Sequence, residues 1–468
     1  MATSGIPPVP PLPPELLPLA RWLESLRQVE NAETNGSAAI YINVKDYGAK
    51  GDGATNDYAS IQAAMTYATT YGGTVFFPAG TYICNSALVM DTGTSWAHYG
   101  PRCNLKGAGS ANTRIRCNAA NIQFLTLGGF GAQYHIDIDG LTFQGPGFVD
   151  NTGQPAVDGT GTGTALRVQA SSDMSIRNCV FSGWGTGMNI TDSFLILMEN
   201  VYVTANLYGI QMDTTIYAHP NAITFIGCAI GGNTNYAISA KIATTINMHG
   251  GSIEGNGNGG SGSFVGGIYV SAGTDGVATL NLNGVYFEGN SGIADVYIDG
   301  LANSSSSSIS GCTFNRIFNT AYVTNNIVLN SASGQTNILA ITGCGFGGFN
   351  TYVPSASRPY ILTTGAGTPG LSWMGCYFNN AIETPLVSGN AIPNASNFFG
   401  FLASTSGMGT TQLFLSSSAG PVPGSTLSLG NSVSGSASAG GATLPTNPAT
   451  FLILYAGTTQ YKIPLYNS

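Results

Sequence analysis

The stretch LNGVYFEGN, residues 282–290, decides how the chain folds, because its first six residues recur in kind along the sequence. IDGLTF starts at 138, IRNCVF at 176, MENVYV at 198, FIGCAI at 225, MHGGSI at 248, ISGCTF at 309, ITGCGF at 341 and WMGCYF at 373. The nine hexads begin 22 to 38 residues apart. Positions one and six are apolar in every copy, position three is Gly or Asn, and position four is mostly Cys, Leu or Val.

Gly and Asn enter left-handed backbone dihedrals most readily, so a column of them predicts a sharp bend inside each hexad. Alternation on either side then turns positions one, four and six inward and positions two, five and seven outward. A second short strand follows several copies, as in GMNI at 187, GIQM at 209, YAIS at 236 and GIYV at 267. One such unit cannot bury its own apolar face, so neighbours must stack with strands about 4.8 Å apart. The expected fold is all-β, a right-handed parallel β-helix. Its surplus residues are expected in loops, among them the Ser-rich 303–308 and the Gly-rich 255–263. Cys179, Cys228, Cys312, Cys344 and Cys376 all fall at position four and read as buried free thiols, not disulfides.

Composition agrees. With 468 residues, 43% hydrophobic, the chain can bury a large core, whereas only 8% of residues are charged and 65 are Gly, so turns and close backbone approach outweigh surface ion pairing. A net charge of −8 leaves no basic stripe for a phosphate backbone and excludes nucleic acid as the expected partner. No apolar run reaches the roughly 18 residues of a membrane span, and the N-terminus lacks the pattern of a secretory signal. The eight cysteines form no CxxC pair and no His sits at ligand spacing from them, so neither metal nor cofactor is expected.

Residues 1–40 open with GIPPVPPLPPELLP, an extended proline-rich segment, followed by Leu19, Trp22, Leu23, Leu26 and Val29 on one stripe of a short helix that packs on its own domain or self-associates. At residues 42–84, Asn56 or Asp57 is placed to cap a helix with Ile61, Ala64, Met65 and Ala68 on one face, before VFFPAGTYI returns as strand, turn and strand. From about 391 the repeat ends and Ser, Gly, Thr and Pro dominate until FLILYAGTTQYKIPLYNS. The expected division is 1–40 adaptor or linker, 41–390 β-helix and 391–468 a small β cap, which would cover the exposed solenoid end.

VKDYGAKGDGATND, ASIQAAM and GGTVFFPAGTYI follow one another in the order of the opening signature of the pectate-lyase-like superfamily, and NLKGAGSANTRIRC at 104–117 resembles its next element. The resemblance covers about residues 40–390. Joined to a proline-rich N-terminal segment and a β cap, it is similar to the bacteriophage tailspike group. That resemblance implies a homotrimer on the virion, made in the host cytoplasm and attached through its N-terminus to a baseplate or adaptor protein. It also implies binding, and usually depolymerisation, of a bacterial surface polysaccharide. The Asn-Thr-Asp, Gly-His-Gly and Arg-Ile-Lys motifs of polygalacturonase catalysis are missing, so no catalytic residue transfers.

Glycoside hydrolysis needs two carboxyl groups, near 5 Å apart for retention or about 6.5–9.5 Å for inversion. Position seven reads Gln144, Ser182, Thr204, Gly231, Glu254, Glu288, Asn315, Gly347 and Asn379, and its two acids occupy consecutive coils. In register, Glu254 and Glu288 share a face about one strand spacing apart, and like-charge repulsion would raise one carboxyl and leave a donor beside a base. Tyr286 at position five, and Tyr202 at the equivalent position of an earlier hexad, offer sugar-stacking faces. The plain alternative is that outward Glu and Tyr are ordinary solvated surface. Asp213 and Asp299, each after a second strand, are further catalytic candidates, with Lys241 at the matching point of an intervening coil and an Asp213–Lys241 ion pair as the duller explanation. His249 at position two is placed to bind sugar or act as base. Glu199, Arg177 and Asp139 alternate in sign down one column and read as structural.

A rival chemistry is β-elimination on a uronic polymer, which needs a cation against the carboxyl group. Arg167, Arg177, Lys241, Arg316 and Arg358 are the only basic residues between 150 and 390, so hydrolysis is preferred. A receptor-binding fibre that grips glycan without cutting it is the non-enzymatic alternative. A site between subunits, using acids such as Asp158 or Asp295, is the third.

Overall fold

A computed structural model describes residues 41–90, 103–147, 163–213, 219–257 except 242 and 244, 266–271, 279–300, 305–316, 325–348 except 336, and 360–378 except 368 and 369. It also describes strands Val387–Gly389, Phe401–Leu402, Gln412–Leu413, Thr450–Ala456 and Thr459–Leu465. The expected helix at 19–29 and Asp158 lie outside the described residues.

The chain winds as a right-handed parallel coil with three faces. One turn runs from the short strand Tyr202–Thr204 to Tyr208–Asp213, then Asn221–Ile226, and bends at Gly227 into the next short strand, Ala229–Gly231. Among the described residues, twelve short strands, from Asp52–Asn56 to Tyr377–Phe378, stack in parallel and form the short-strand face. The return face stacks Tyr208–Asp213 with Ile238–Ala240, Ile268–Ser271, Ala294–Gly300 and Asn325–Ser331. The leading face stacks Phe194–Glu199 with Asn221–Ile226, Thr245–His249 and Thr279–Asn283. In the early coils Gln123–Asp139 and Thr164–Arg177 run through the corner between return and leading faces without a break. The Ser-rich stretch corrects one expectation. Ser305–Ser310 is a leading-face strand paired with Asn337–Thr342, because a parallel neighbour supplies the ladder partners that its hydroxyl side chains would otherwise compete for.

All nine hexad bends have positive φ, from 51° at Asn200 to 70° at Gly140. On either side, Leu282, Val285 and Phe287 are buried while Asn283 faces solvent, which is the alternation expected of the hexad. Position six builds aromatic stacks along the coil axis: Phe143 on Phe181 at 4.9 Å, Phe287 on Phe314 at 4.7 Å and Phe314 on Phe346 at 4.8 Å, each within 10° of parallel. These separations match the strand spacing, so the register itself sets the ring contact. The position-four cysteines are buried and free, and burial pushes the Cys179 thiol up to about 12.

The first coil is closed by the helix Tyr58–Tyr71, which buries Ile61, Ala64, Met65 and Ala68 as expected and packs on Gly73–Phe77, Leu88–Met90 and Cys103–Gly107. Asp57 is the N-cap residue, yet its carboxylate turns away from the helix to accept Lys50 N–H at 2.7 Å and Gly51 N–H at 3.0 Å. It therefore holds the Gly51 turn. Contacts divide the chain into units 1–418 and 419–468, and the described part of the second is an antiparallel hairpin of Thr450–Ala456 with Thr459–Leu465.

Phe314→Ala should lower stability by roughly 3–5 kcal/mol, since it removes a fully buried ring between two stacked partners. Urea unfolding checks this. Gly284→Ala meets no atom within 4 Å and should cost only the left-handed backbone, about 1–2 kcal/mol. Gly251→Ala would set its Cβ 2.0 Å from the Cys228 carbonyl oxygen and should cost clearly more in the same experiment.

Candidate functional site

Glu254 ends the short strand Ser252–Glu254 and Glu288 ends Tyr286–Glu288. The two strands pair Ser252 with Tyr286, Ile253 with Phe287 and Glu254 with Glu288, so the carboxylates leave the same face one strand spacing apart, about 4.8 Å at the backbone. Glu254 is exposed and Glu288 half-buried. Asn315, next along the column, donates from Nδ2 to the Tyr286 hydroxyl at 3.0 Å and to Glu288 Oε2 at 3.4 Å, tying the acid and the ring to one amide. Gly231 and Gly347 continue the column on either side without side chains.

Tyr202 shares the position-five column, but Ala229 and Ser252 stand between it and Tyr286. Three strand steps, roughly 14 Å, separate the two rings' backbones, so they cannot contact one sugar together. His249 belongs to the leading face, across the Gly250 bend from Glu254, and pairs with Ile226 and Asn283. The leading-face column does carry Lys106, Asp139, Arg177 and Glu199 in order. There Lys106 reaches Asp139 at 3.9 Å, while Arg177 turns to Asp137 at 3.4 Å.

The return face holds the other acids. Asp213, Lys241, Ser271, Asp299 and Asn330 follow one another in the stack, so Asp213 and Asp299 lie three strand steps apart. Burial holds the Asp213 carboxyl above its usual range, and Lys241 opposes that shift without closing an ion pair among the described residues. Asp299 is almost fully covered and accepts Tyr269 Oη–H at 2.9 Å and Asn330 Nδ2–H at 2.8 Å. Burial raises the Tyr236, Tyr269 and Tyr297 hydroxyls, with Tyr236 pushed up to about 12, which is the wrong direction for a tyrosinate base.

One feature of this region was not read from the sequence. Asn206, Asn233, Asn256 and Asn290 each stand two residues after position seven and form a buried ladder. Asn206 Nδ2 donates to Asn233 Oδ1 at 3.1 Å, Asn233 to Asn256 at 2.9 Å, Asn256 to Asn290 at 2.9 Å, and Asn290 to Asp295 Oδ1 at 2.9 Å. Asn256 Nδ2 also donates to the Glu254 carbonyl at 3.2 Å, so the ladder fixes the backbone that carries the acid pair. The signal was present as four Asn at a constant offset. It also corrects the idea of Asp295 at a subunit boundary, because Asp295 is buried inside its own coil, where Asn326 Nδ2 donates to it at 2.6 Å.

Residues 41–259 match the family model described as rhamnogalacturonase A/epimerase, pectate lyase-like. A probable glucan endo-1,3-beta-glucosidase of Arthroderma benhamiae is 35% identical over 82 residues, 15% of this chain and 9% of that protein. The mannuronan C5-epimerase AlgE4 of Azotobacter vinelandii is 42% identical over 85 residues, 18% of this chain and 15% of that protein. The chain thus spans 15% or less of the length of these curated relatives. A solved structure, ORF18 of Geobacillus virus E2, is 16% identical with a TM-score of 0.48, covering 83% of this chain and 64% of that one. The nine bends and the unbroken parallel register make this chain a right-handed parallel β-helix protein, of which residues 41–259 are similar to the pectate-lyase-like family model.

Proposed function

We propose that this protein is a tailspike-type depolymerase that binds a bacterial surface polysaccharide and hydrolyses it at Glu254 and Glu288. The observation that carries the reading is the in-register pairing of these two acids. Their one-step spacing suits the roughly 5 Å separation of a retaining mechanism, in which one carboxyl protonates the leaving oxygen and the other attacks the anomeric carbon. Glu288 is the natural nucleophile, since Asn315 fixes its direction, and the exposed Glu254 the acid. Tyr286 supplies a ring face beside them. Both curated relatives are named for reactions on polysaccharides, which supports the substrate class.

Asp213 and Asp299 fit the two-carboxylate requirement less well, because three strand steps, about 14 Å, exceed either hydrolytic spacing. Elimination is disfavoured by the raised tyrosine hydroxyls on the return face and by positions five and seven of the short-strand face, which carry no Lys or Arg from Tyr202 to Gly347. Display on a virion as a homotrimer, attached through residues 1–40, and a capping role for 391–468 complete the proposal. Virion display and the trimer rest on the resemblance to the tailspike group, the trimer with the apolar stripe at 19–29 and the terminal β segment in support, and the cap on the change of composition after 390; light scattering of the full chain checks the trimer.

Glu254→Gln and Glu288→Gln should each lower release of reducing ends from a cleaved polymer by roughly 10²–10⁴-fold, with thermal unfolding unchanged. Wild-type rates in both would remove the assignment. Binding without cleavage by the wild type would favour the fibre, and an unsaturated product absorbing in the ultraviolet would indicate elimination.

Asp213 gives a prediction about stability. A carboxyl raised by burial holds its proton more tightly in the folded chain, so the contribution of Asp213 to stability is fully present below about pH 4, where an unfolded Asp titrates, and is lost as pH rises through the folded value. Asp213→Asn should therefore melt at higher temperature than wild type near neutral pH, and the difference should vanish below about pH 4.

A further inference from the structure

We infer that the glycan segment held at Glu254 and Glu288 is uncharged, so that the substrate is a neutral polysaccharide and not a uronic, sulfated or phosphorylated one. This rests on the reading that the two glutamates are the site.

The outward positions of the short-strand face, five and seven, run in register from Tyr202 and Thr204 to Gly345 and Gly347. Across these six coils they offer hydroxyl, amide, small and aromatic groups, two glutamates, and no Lys or Arg. Of the bases in this sheet, Arg316 ends the strand Thr313–Arg316 at position eight, one residue beyond Asn315 and outside the five-and-seven columns, and Arg114 and Arg116 precede Glu254 by five strand steps, about 24 Å, roughly three times the ~8 Å screening length of physiological salt. Lys106 and Arg177 belong to the leading face, where they meet Asp139 and Asp137, and Lys241 acts on Asp213 on the return face.

The sequence around the pair gives the same answer, loops included. Between residues 242 and 357 the single Lys or Arg is Arg316, against Glu254, Asp275, Glu288, Asp295 and Asp299. An anionic sugar placed here would meet two carboxylates with too little positive charge to offset them, and like charges brought together repel. Hydroxyls, by contrast, find the Asn315 amide, the Tyr286 ring and hydroxyl, and the acids themselves as partners. The glycines at 231, 345 and 347 leave the lane open along the coil axis, which suits an extended chain.

The test uses the full-length Glu288→Gln protein as a cleavage-silent binder on a panel of neutral and anionic bacterial polysaccharides. The tightest neutral binder is then oxidised at its primary alcohols to carboxylates, giving a matched pair. Oxidation is expected to weaken binding at least tenfold, and a variant combining Glu254→Gln with Glu288→Gln should recover most of that loss. Binding confined to anionic polymers, no neutral binder in the panel, or undiminished binding after oxidation would each overturn the inference. An anionic substrate whose binding requires Arg316, lost in Arg316→Ala, would overturn it as well. The two readings fail separately. Wild-type cleavage by both single Gln variants removes the glutamate site, whereas an anionic substrate cut only when both glutamates are present removes the charge inference alone.

Discussion

Everything in this molecule depends on a left-handed bend that returns once per coil. At position three of each hexad the backbone takes a positive φ, which costs an ordinary residue about 1–2 kcal/mol and which Gly or Asn relieves. The bend turns the chain from the leading face to the short-strand face within one residue, and it resets the alternation so that positions four and six point in while five and seven point out.

Once the bends coincide, like stacks on like, and the chemistry of each residue type decides whether that is favourable. Phenylalanine rings fall into parallel stacks at the strand spacing, and asparagine amides are self-complementary, each donating to the next. Charges are not self-complementary, because like charges directly opposite one another destabilise a sheet. The leading face respects this by alternating Lys106, Asp139, Arg177 and Glu199. Glu254 and Glu288 break the pattern, and a local rule broken where structure gains nothing is where function is expected.

The return face shows the opposite use of polar residues. Asp299 is surrounded by Tyr269 and Asn330 and nearly sealed from water, and the ladder of four asparagines ends on the buried Asp295. These acids are consumed by hydrogen bonds within the coil. The acid pair on the short-strand face keeps an exposed member, which is the practical difference between a carboxylate that holds a fold and one that can meet a substrate.

By itself the sequence determined the coil, because period, bend and inward apolar positions are local properties of nine short phrases, and it determined that Glu254 and Glu288 neighbour one another, because register follows from the bends. It did not show that the Ser-rich 305–310 is a strand, since only a parallel neighbour makes it one. The turning of Asp57 away from its helix and the burial of Asp295 were likewise decided by tertiary structure. A carboxylate goes where N–H donors converge: for Asp57 these are Lys50 and Gly51 in the turn before it, and for Asp295 they are Asn290, placed by the asparagine ladder, and Asn326 of the next coil.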